Sequence, residues 1–306
     1  MLIFIRLAIW TKILVVIFIR LAIWTKMKKT YFDSVKCYFV FVVYRMPTLE
    51  LKDVRDIKKD SGEFPIAIVK GDDRNKDFNK FLVINPDKNK GGTVVNLSDD
   101  LLFEMLPQTN PKNRDIFYIA GASGSGKSYQ AKILISNYRK LHPHRDVFLV
   151  SKLESDETLD GMKNPPERIS LNEFTENPPD INDMEPCLYI FDDWDTAEKA
   201  QMEAVLKFID DISIMGRHAT VSSIVISHYL TNYKKTRLIL NEAHHILVFP
   251  QNTSNHQLKY LLSNYAGMDP HQVKYLRKLG RWASVYTQYP QFVVSRDKAY
   301  ILHTDD

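Results

Sequence analysis

Residues 121–128 read Gly-Ala-Ser-Gly-Ser-Gly-Lys-Ser, a full match to the phosphate-loop pattern G-x-x-x-x-G-K-[ST]. Upstream, Asp115–Ala120 (DIFYIA) is a short apolar and aromatic run of the buried-strand kind. Downstream, Tyr129–Leu141 carries Ile133, Leu134, Tyr138 and Leu141 at helical spacing. Strand, glycine-rich turn and helix are the arrangement in which backbone N–H groups converge on phosphate oxygens at a helix N-terminus. The nucleotide-cradling run is therefore Gly121, Ala122, Ser123, Gly124, Ser125, Gly126, Lys127, Ser128 and Tyr129. Lys127 is suited to reach the β- and γ-phosphates of ATP, and the Ser128 hydroxyl to bind Mg²⁺.

Further along, Cys187–Phe191 (CLYIF) runs straight into Asp192-Asp193. An apolar strand ending in acids gives a second half to a nucleotide site. Asp192 at the strand's end holds the magnesium shell, and Asp193 polarises the attacking water as general base. Asp195 reads as the N-cap of a helix over Thr196–Met215, whose Met202, Val205, Leu206, Ile209 and Ile212 form a core-facing stripe. That helix is expected to end at Gly216-Arg217-His218. Val221–Ser227 is the next strand and His228 ends it, pointing into the crevice of Asp192 as a sensor of the γ-phosphate or a holder of water. A strand and helix separate the phosphate-loop unit from the Asp192 strand in sequence. That inserted strand sets the chain apart from simple nucleotide kinases and GTPases.

The 306 residues are 44% hydrophobic and 25% charged, ordinary for a globular chain, with a net charge of +4. The mild basicity permits a polyanionic partner without demanding one. Two cysteines, Cys37 and Cys187, give neither a disulfide framework nor zinc spacing, which points to a reducing intracellular compartment. The histidines His142, His144, His256, His271 and His303 lack metal-ligand spacing and carry no assigned role.

Three regions emerge. In residues 1–45, Ile3–Lys12 (IFIRLAIWTK) repeats letter for letter as Ile17–Lys26. Arg6, Lys12, Arg20 and Lys26 interrupt it, so it is too broken for a spanning helix of about 20 apolar residues. Three readings stay open: an extension outside the fold, an interfacial membrane segment through residues 1–26, or a structural element. Residues 46–110 form a small β-rich lead-in: Leu49–Lys70 mixes charges with the apolar Phe64–Val69, and Phe81–Ile84 and Thr93–Leu97 read as strands. Residues 111–306 form the nucleotide domain, with helical and strand additions at its end. Within it, Ser155–Pro186 is a long polar connection with one short element near Ile169–Phe174. Lys274, Arg277, Lys278 and Arg281 form a basic cluster that faces either nucleic acid or only solvent.

With these residues in hand, the chain resembles the DNA-packaging ATPases of large DNA viruses, poxvirus and giant-virus type, within the FtsK–HerA class of P-loop motors. The likeness runs from about Phe117 to the C-terminus. It rests on GASGSGKS, on LYIFDDWD, on MGRHATVSSIVISHYLTNYKKTRLILNEAHHILVFP and on YPQFVVSRDKAYIL. It implies an α/β P-loop NTPase fold, RecA-like and of the additional-strand type, with a mainly parallel central sheet and helices on both faces. It further implies nucleotide binding at 121–128, Mg²⁺ at Ser128 and Asp192, water activation at Asp193 and a sensor at His228. Arg217 or Arg237 then acts across a subunit boundary as an arginine finger. The implied partners are double-stranded DNA, further copies of the chain in a ring, and a capsid protein, in a virion or a viral factory of the host cytoplasm. His228 departs from the usual Gln or Asn, and Asp193 is the shorter acid. Two rivals stand beside this reading: a P-loop small-molecule kinase, and a membrane-associated nucleotide-binding module anchored by the N-terminal repeat.

Overall fold

The computed structural model describes residues 47–57, 62–85 and 92–302, all within one compact unit. The apolar repeat of residues 1–45 and its membrane reading lie outside the described residues.

The main body is a ten-stranded sheet. Six of its strands are parallel: β6 (Ile116–Ala120), β7 (Val147–Ser151), β8 (Glu167–Ser170), β9 (Leu188–Asp192), β10 (Ser222–Ser227) and β11 (His245–Val248). Antiparallel β12 (Ala283–Tyr286), β13 (Phe292–Ser295) and β14 (Lys298–Ile301) extend one end, and β4 (Val94–Asn96) closes it. The order across the sheet is β4-β14-β13-β12-β11-β6-β10-β9-β7-β8. β6, β9 and β10 are buried along their whole length. The near-continuous apolar runs of β6 and β9, and the apolar Ile224–Ile226 centre of β10, follow from having both faces covered.

Helices supply that cover, and alternate residues of each strand face different layers. Phe117 and Ile119 pack with Leu134, Ile135 and Tyr138 of α1 (Lys127–Leu141). Ile116, Tyr118 and Ala120 face the opposite layer. That layer holds α3 (Leu171–Glu176), α4 (Lys199–Ala219), α5 (Arg237–Glu242), α6 (Asn255–Tyr265) and α7 (Pro270–Leu276). The short α2 (Glu157–Asp160) sits with α1, through Leu159. The chain therefore has the mainly parallel, two-faced P-loop NTPase sheet that the resemblance implies.

A second, four-stranded antiparallel sheet, β1 (Thr48–Lys52), β3 (Phe81–Asn85), β2 (Phe64–Gly71) and β5 (Leu101–Met105), lies in the α1 layer. Asn137 of α1 donates to the Met105 carbonyl at 3.0 Å. β1, β2 and β5 are additional to the strands expected in this stretch, and the expected Thr93–Leu97 strand joins the large sheet as β4.

Two expectations about α4 need correction. It starts at Lys199 rather than Thr196, because Glu198 and Gln201 form a capping box there. It also runs through Gly216 to Ala219. Gly216 leaves room for the Arg114 guanidinium, which donates to the Ile212 and Ser213 carbonyls and would have to shift from a Cβ built there, 2.6 Å from its Nη1. The stop is Thr220, left-handed at φ 53°, whose N–H and that of Val221 return to the carbonyls of Arg217 and Gly216. Ser155–Pro186 is also more structured than expected, containing α2, β8 and α3.

Candidate active site

At the carboxyl ends of the parallel strands, β6 turns into α1 through the glycine-rich loop. Gly124 and Gly126 have φ of 74° and 105°, a region that costs other residues roughly 1–2 kcal/mol each. A Cβ built at Gly124 meets nothing within 4 Å, so the loop's outer side is open. The Lys127 ammonium folds back onto the carbonyls of Gly121 and Ala122 at 3.0 and 3.1 Å. Burial lowers its pKa, against the pull of Asp192, Asp193 and Asp195. Ser125 Oγ is buried without a hydrogen-bond partner. An orphaned hydroxyl, a retracted ammonium and an open backbone cradle are what a polyphosphate would satisfy. Tyr129 is 59% exposed, at the first turn of α1 beyond the loop.

β9 delivers the carboxylates. Asp192 is 6% exposed and its carboxylate accepts the Asp193 N–H at 3.0 Å. Burial, with Asp193 alongside, pushes its pKa up to about 7. Such a carboxylate gains most from a cation beside it. Asp192 and the Ser128 hydroxyl, both hard oxygen donors, fit Mg²⁺, which characteristically keeps several of its own waters and takes few protein ligands. Asp193 is left-handed at φ 52°, the kind of backbone that occurs at functional turns.

β10 lies between β6 and β9. The phosphate-loop strand and the acid strand are thus not neighbours; they stand one strand apart, about 10 Å at the usual interstrand spacing. Their ends are level, since Ala120 pairs with Ser227, and Phe191 with Val225. His228 follows directly after the end of β10, the strand between them.

The sequence reading of Asp195 as a helix cap does not hold. Its side chain is 1% exposed and turns onto the end of β10. It accepts the Ser227 hydroxyl at 2.9 Å, the His228 backbone N–H at 2.7 Å and His228 Nδ1 at 3.1 Å. A carboxylate at Nδ1 fixes the proton there and leaves Nε2 as the acceptor. His228 Nε2 stands 4.0 Å from Asp193 Oδ1. Trp194, fully buried, locks the turn by donating its indole N–H to the Ile226 carbonyl at 2.9 Å. Sequence spacing missed the Asp195–His228–Asp193 constellation, because Asp195 and His228 lie 33 residues apart.

The two arginines lie at different places. Arg237 opens α5 after the carboxyl end of β10, exposed and stacked on Tyr233 at 5.1 Å. Arg217 is exposed near the end of α4, where β10 begins, so it sits at the opposite edge of the sheet. Beside it opens a cavity of about 540 Å³ lined by Arg114, Glu242, His244 and Tyr286 among others. No described helix is long and apolar enough to cross a membrane.

No family model matches the chain. It is 33% identical over 251 residues to "Uncharacterized protein V3" of Sputnik virophage, covering 81% of this chain and 98% of that protein. Among solved structures it is similar to B204, the DNA-packaging ATPase from Sulfolobus turreted icosahedral virus, at 15% identity and a TM-score of 0.42, over 63% of this chain and all of that one. It is also similar to the cytoplasmic domain of the Thermomonospora curvata type VII secretion ATPase EccC. There the identity is 14% and the TM-score 0.45, over 80% of this chain and 29% of that one.

Proposed function

The chain belongs to the family of the Sputnik virophage protein V3, and on that footing we propose that it is a Mg²⁺-dependent ATPase that drives double-stranded DNA into a viral capsid. The observation that carries this is the placement of the glycine-rich loop after β6 and the carboxylates at the end of β9 one strand apart, with His228 Nε2 4.0 Å from Asp193 Oδ1. The strand inserted between the two nucleotide motifs favours a motor over a small-molecule kinase. The packaging role itself rests on the motif resemblance of the segment from Phe117 onward.

In this reading the loop amides and Lys127 hold the β- and γ-phosphates. Mg²⁺, held by Ser128 and Asp192, neutralises charge on the same oxygens when bound. Asp193 orients a water in line with the γ-phosphorus. The water oxygen forms the new bond to phosphorus, the bond to the ADP oxygen breaks, and the water proton passes to Asp193 with His228 Nε2 beside it. Asp195 keeps that imidazole nitrogen free to accept. In a ring, a neighbouring subunit supplies the arginine finger, from Arg217 or Arg237. The protein then works where genomes are packaged, in the virion or a viral factory.

Following the γ-phosphate of labelled ATP tests the chemistry. Release as inorganic phosphate, dependent on Mg²⁺, supports the reading; label retained on a small-molecule acceptor would sink it in favour of a kinase.

A further inference from the structure

Beyond the nucleotide site, the loop that leaves β10 presents a second surface. From Ile212 through Asn241, and again from Ala243 through Met268, the chain contains no Asp or Glu. Within those stretches Lys234, Lys235, Arg237 and Lys259 gather with exposed aromatics. Tyr233 is 69% exposed and Tyr260 45%. Tyr233 and Tyr260 share a cleft of about 280 Å³ with His256 and Tyr265. On α6, His256, Lys259 and Tyr260 stand three and four residues apart, on one helix face. Lys235 lies over the Tyr229 ring at 5.0 Å.

The loop is built to hold this shape. Asn232 Oδ1 accepts the N–H groups of Lys234 and Lys235 at 3.2 and 3.3 Å, and Asn232 N–H donates to Thr236 Oγ1 at 2.8 Å. This turn thrusts Tyr233 and Lys234 outward. A chain of hydrogen bonds ties it to the nucleotide site. Asp195 accepts from Ser227 Oγ, which accepts the Tyr229 N–H at 3.0 Å, and the Tyr229 carbonyl accepts from Tyr118. The sensor His228 is therefore five residues from Tyr233 in sequence, and Asp195 and Ser227 tie it to Tyr229, where the loop begins.

We infer that this surface, Tyr233, Lys234, Lys235, Lys259 and Tyr260, grips the phosphate backbone of duplex DNA next to the site of hydrolysis. The inference rests on the DNA-driving reading above and names the part of the chain that carries it out. Lysine ammonium groups and tyrosine hydroxyls are backbone-contacting groups that read no sequence, as an engine indifferent to sequence requires. The other basic cluster offers Lys274 on α7 and Lys278 just after it as exposed cations, but Asp269 caps that helix, and among the described residues no hydrogen-bonded chain of this kind links it to His228.

The test is the salt dependence of duplex binding by the full chain, measured by anisotropy of a labelled linear duplex. Each lost phosphate contact lowers the slope of log affinity against log salt by about 0.9, so Lys234→Ala with Lys259→Ala removes about 1.8, or roughly 60-fold in affinity at 0.1 M salt if the two proteins converge near 1 M. Lys234→Arg with Lys259→Arg keeps the slope, and Lys274→Ala with Lys278→Ala leaves it unchanged. An unchanged slope in the Lys234/Lys259 double variant overturns the inference, as does loss of slope in the Lys274/Lys278 variant instead. A wild-type chain that binds no duplex overturns the DNA reading itself, and the surface falls with it.

Discussion

Asp195→Asn separates catalysis from folding at this site. The carboxylate accepts three hydrogen bonds, two of them from His228, and only 1% of it reaches solvent. Alanine would strand all three donors. At about 1–3 kcal/mol per buried unsatisfied group, that variant risks the fold. Asparagine keeps the shape and one acceptor oxygen, so the cost to stability is about 1–2 kcal/mol. Its amide, however, turns an N–H toward Nδ1, and the imidazole proton moves to Nε2, the nitrogen that faces Asp193. His228 then offers a donor where an acceptor is needed. General base assistance is worth roughly 10²–10⁴ in rate, and we expect kcat to fall about 100-fold with the KM for ATP within a factor of three. Steady-state phosphate release gives both constants, binding of a fluorescent ATP analogue confirms occupancy, and ¹⁵N shifts of the imidazole report the tautomer. A variant with wild-type kcat and the proton shown to sit on Nε2 would refute the reasoning.

Other outcomes follow from the same geometry. Lys127→Ala removes the only ammonium of the loop, and phosphate release should drop to background while the melting temperature holds. Arg217→Ala or Arg237→Ala, whichever is the finger, should spare ATP binding and cut hydrolysis by roughly 10³–10⁵, read in the same two assays. His245 is buried against Phe117, its ring stacked at 4.4 Å, and burial pulls its pKa down to about 4. Between pH 6.5 and 4 the unfolded chain therefore binds the proton that the folded chain refuses. Stability contributed by neutral His245, up to ~3 kcal/mol, is present in full above pH 6.5 and lost as pH falls toward 4. Urea midpoints at pH 7 and pH 4.5 should differ less in His245→Phe, which keeps the stack, than in the wild type; an equal difference in both would contradict the assignment.

The phosphate loop and the Asp192-Asp193 pair were legible in the sequence because each is contiguous, with its chemistry carried by neighbours in the chain. The parallel strands were legible for a related reason: β6 and β9 are buried on both faces and read as apolar runs, and β10 shows the same in its Ile224–Ile226 centre. Where the sequence misled, contacts distant in the chain decide. Asp195 looks like a cap because it precedes a helix, yet Ser227 and His228 claim it from 32 and 33 residues away. Gly216 reads as a helix stop until Arg114 is seen against it. β1 and β8 carry charged, half-exposed residues at sheet edges, and their strand character comes from a partner rather than from their own composition. That β10 lies between the two motif strands is likewise a matter of pairing, which the inserted strand in the sequence only hints at.

The account stands or falls on hydrolysis coupled to DNA and to assembly. The most direct measurement is phosphate release by the full-length protein after separation by size, in Mg²⁺, with and without linear duplex DNA. Hydrolysis confined to the oligomeric fraction and raised by duplex is the predicted result. Turnover by the monomer, indifferent to DNA, would contradict it.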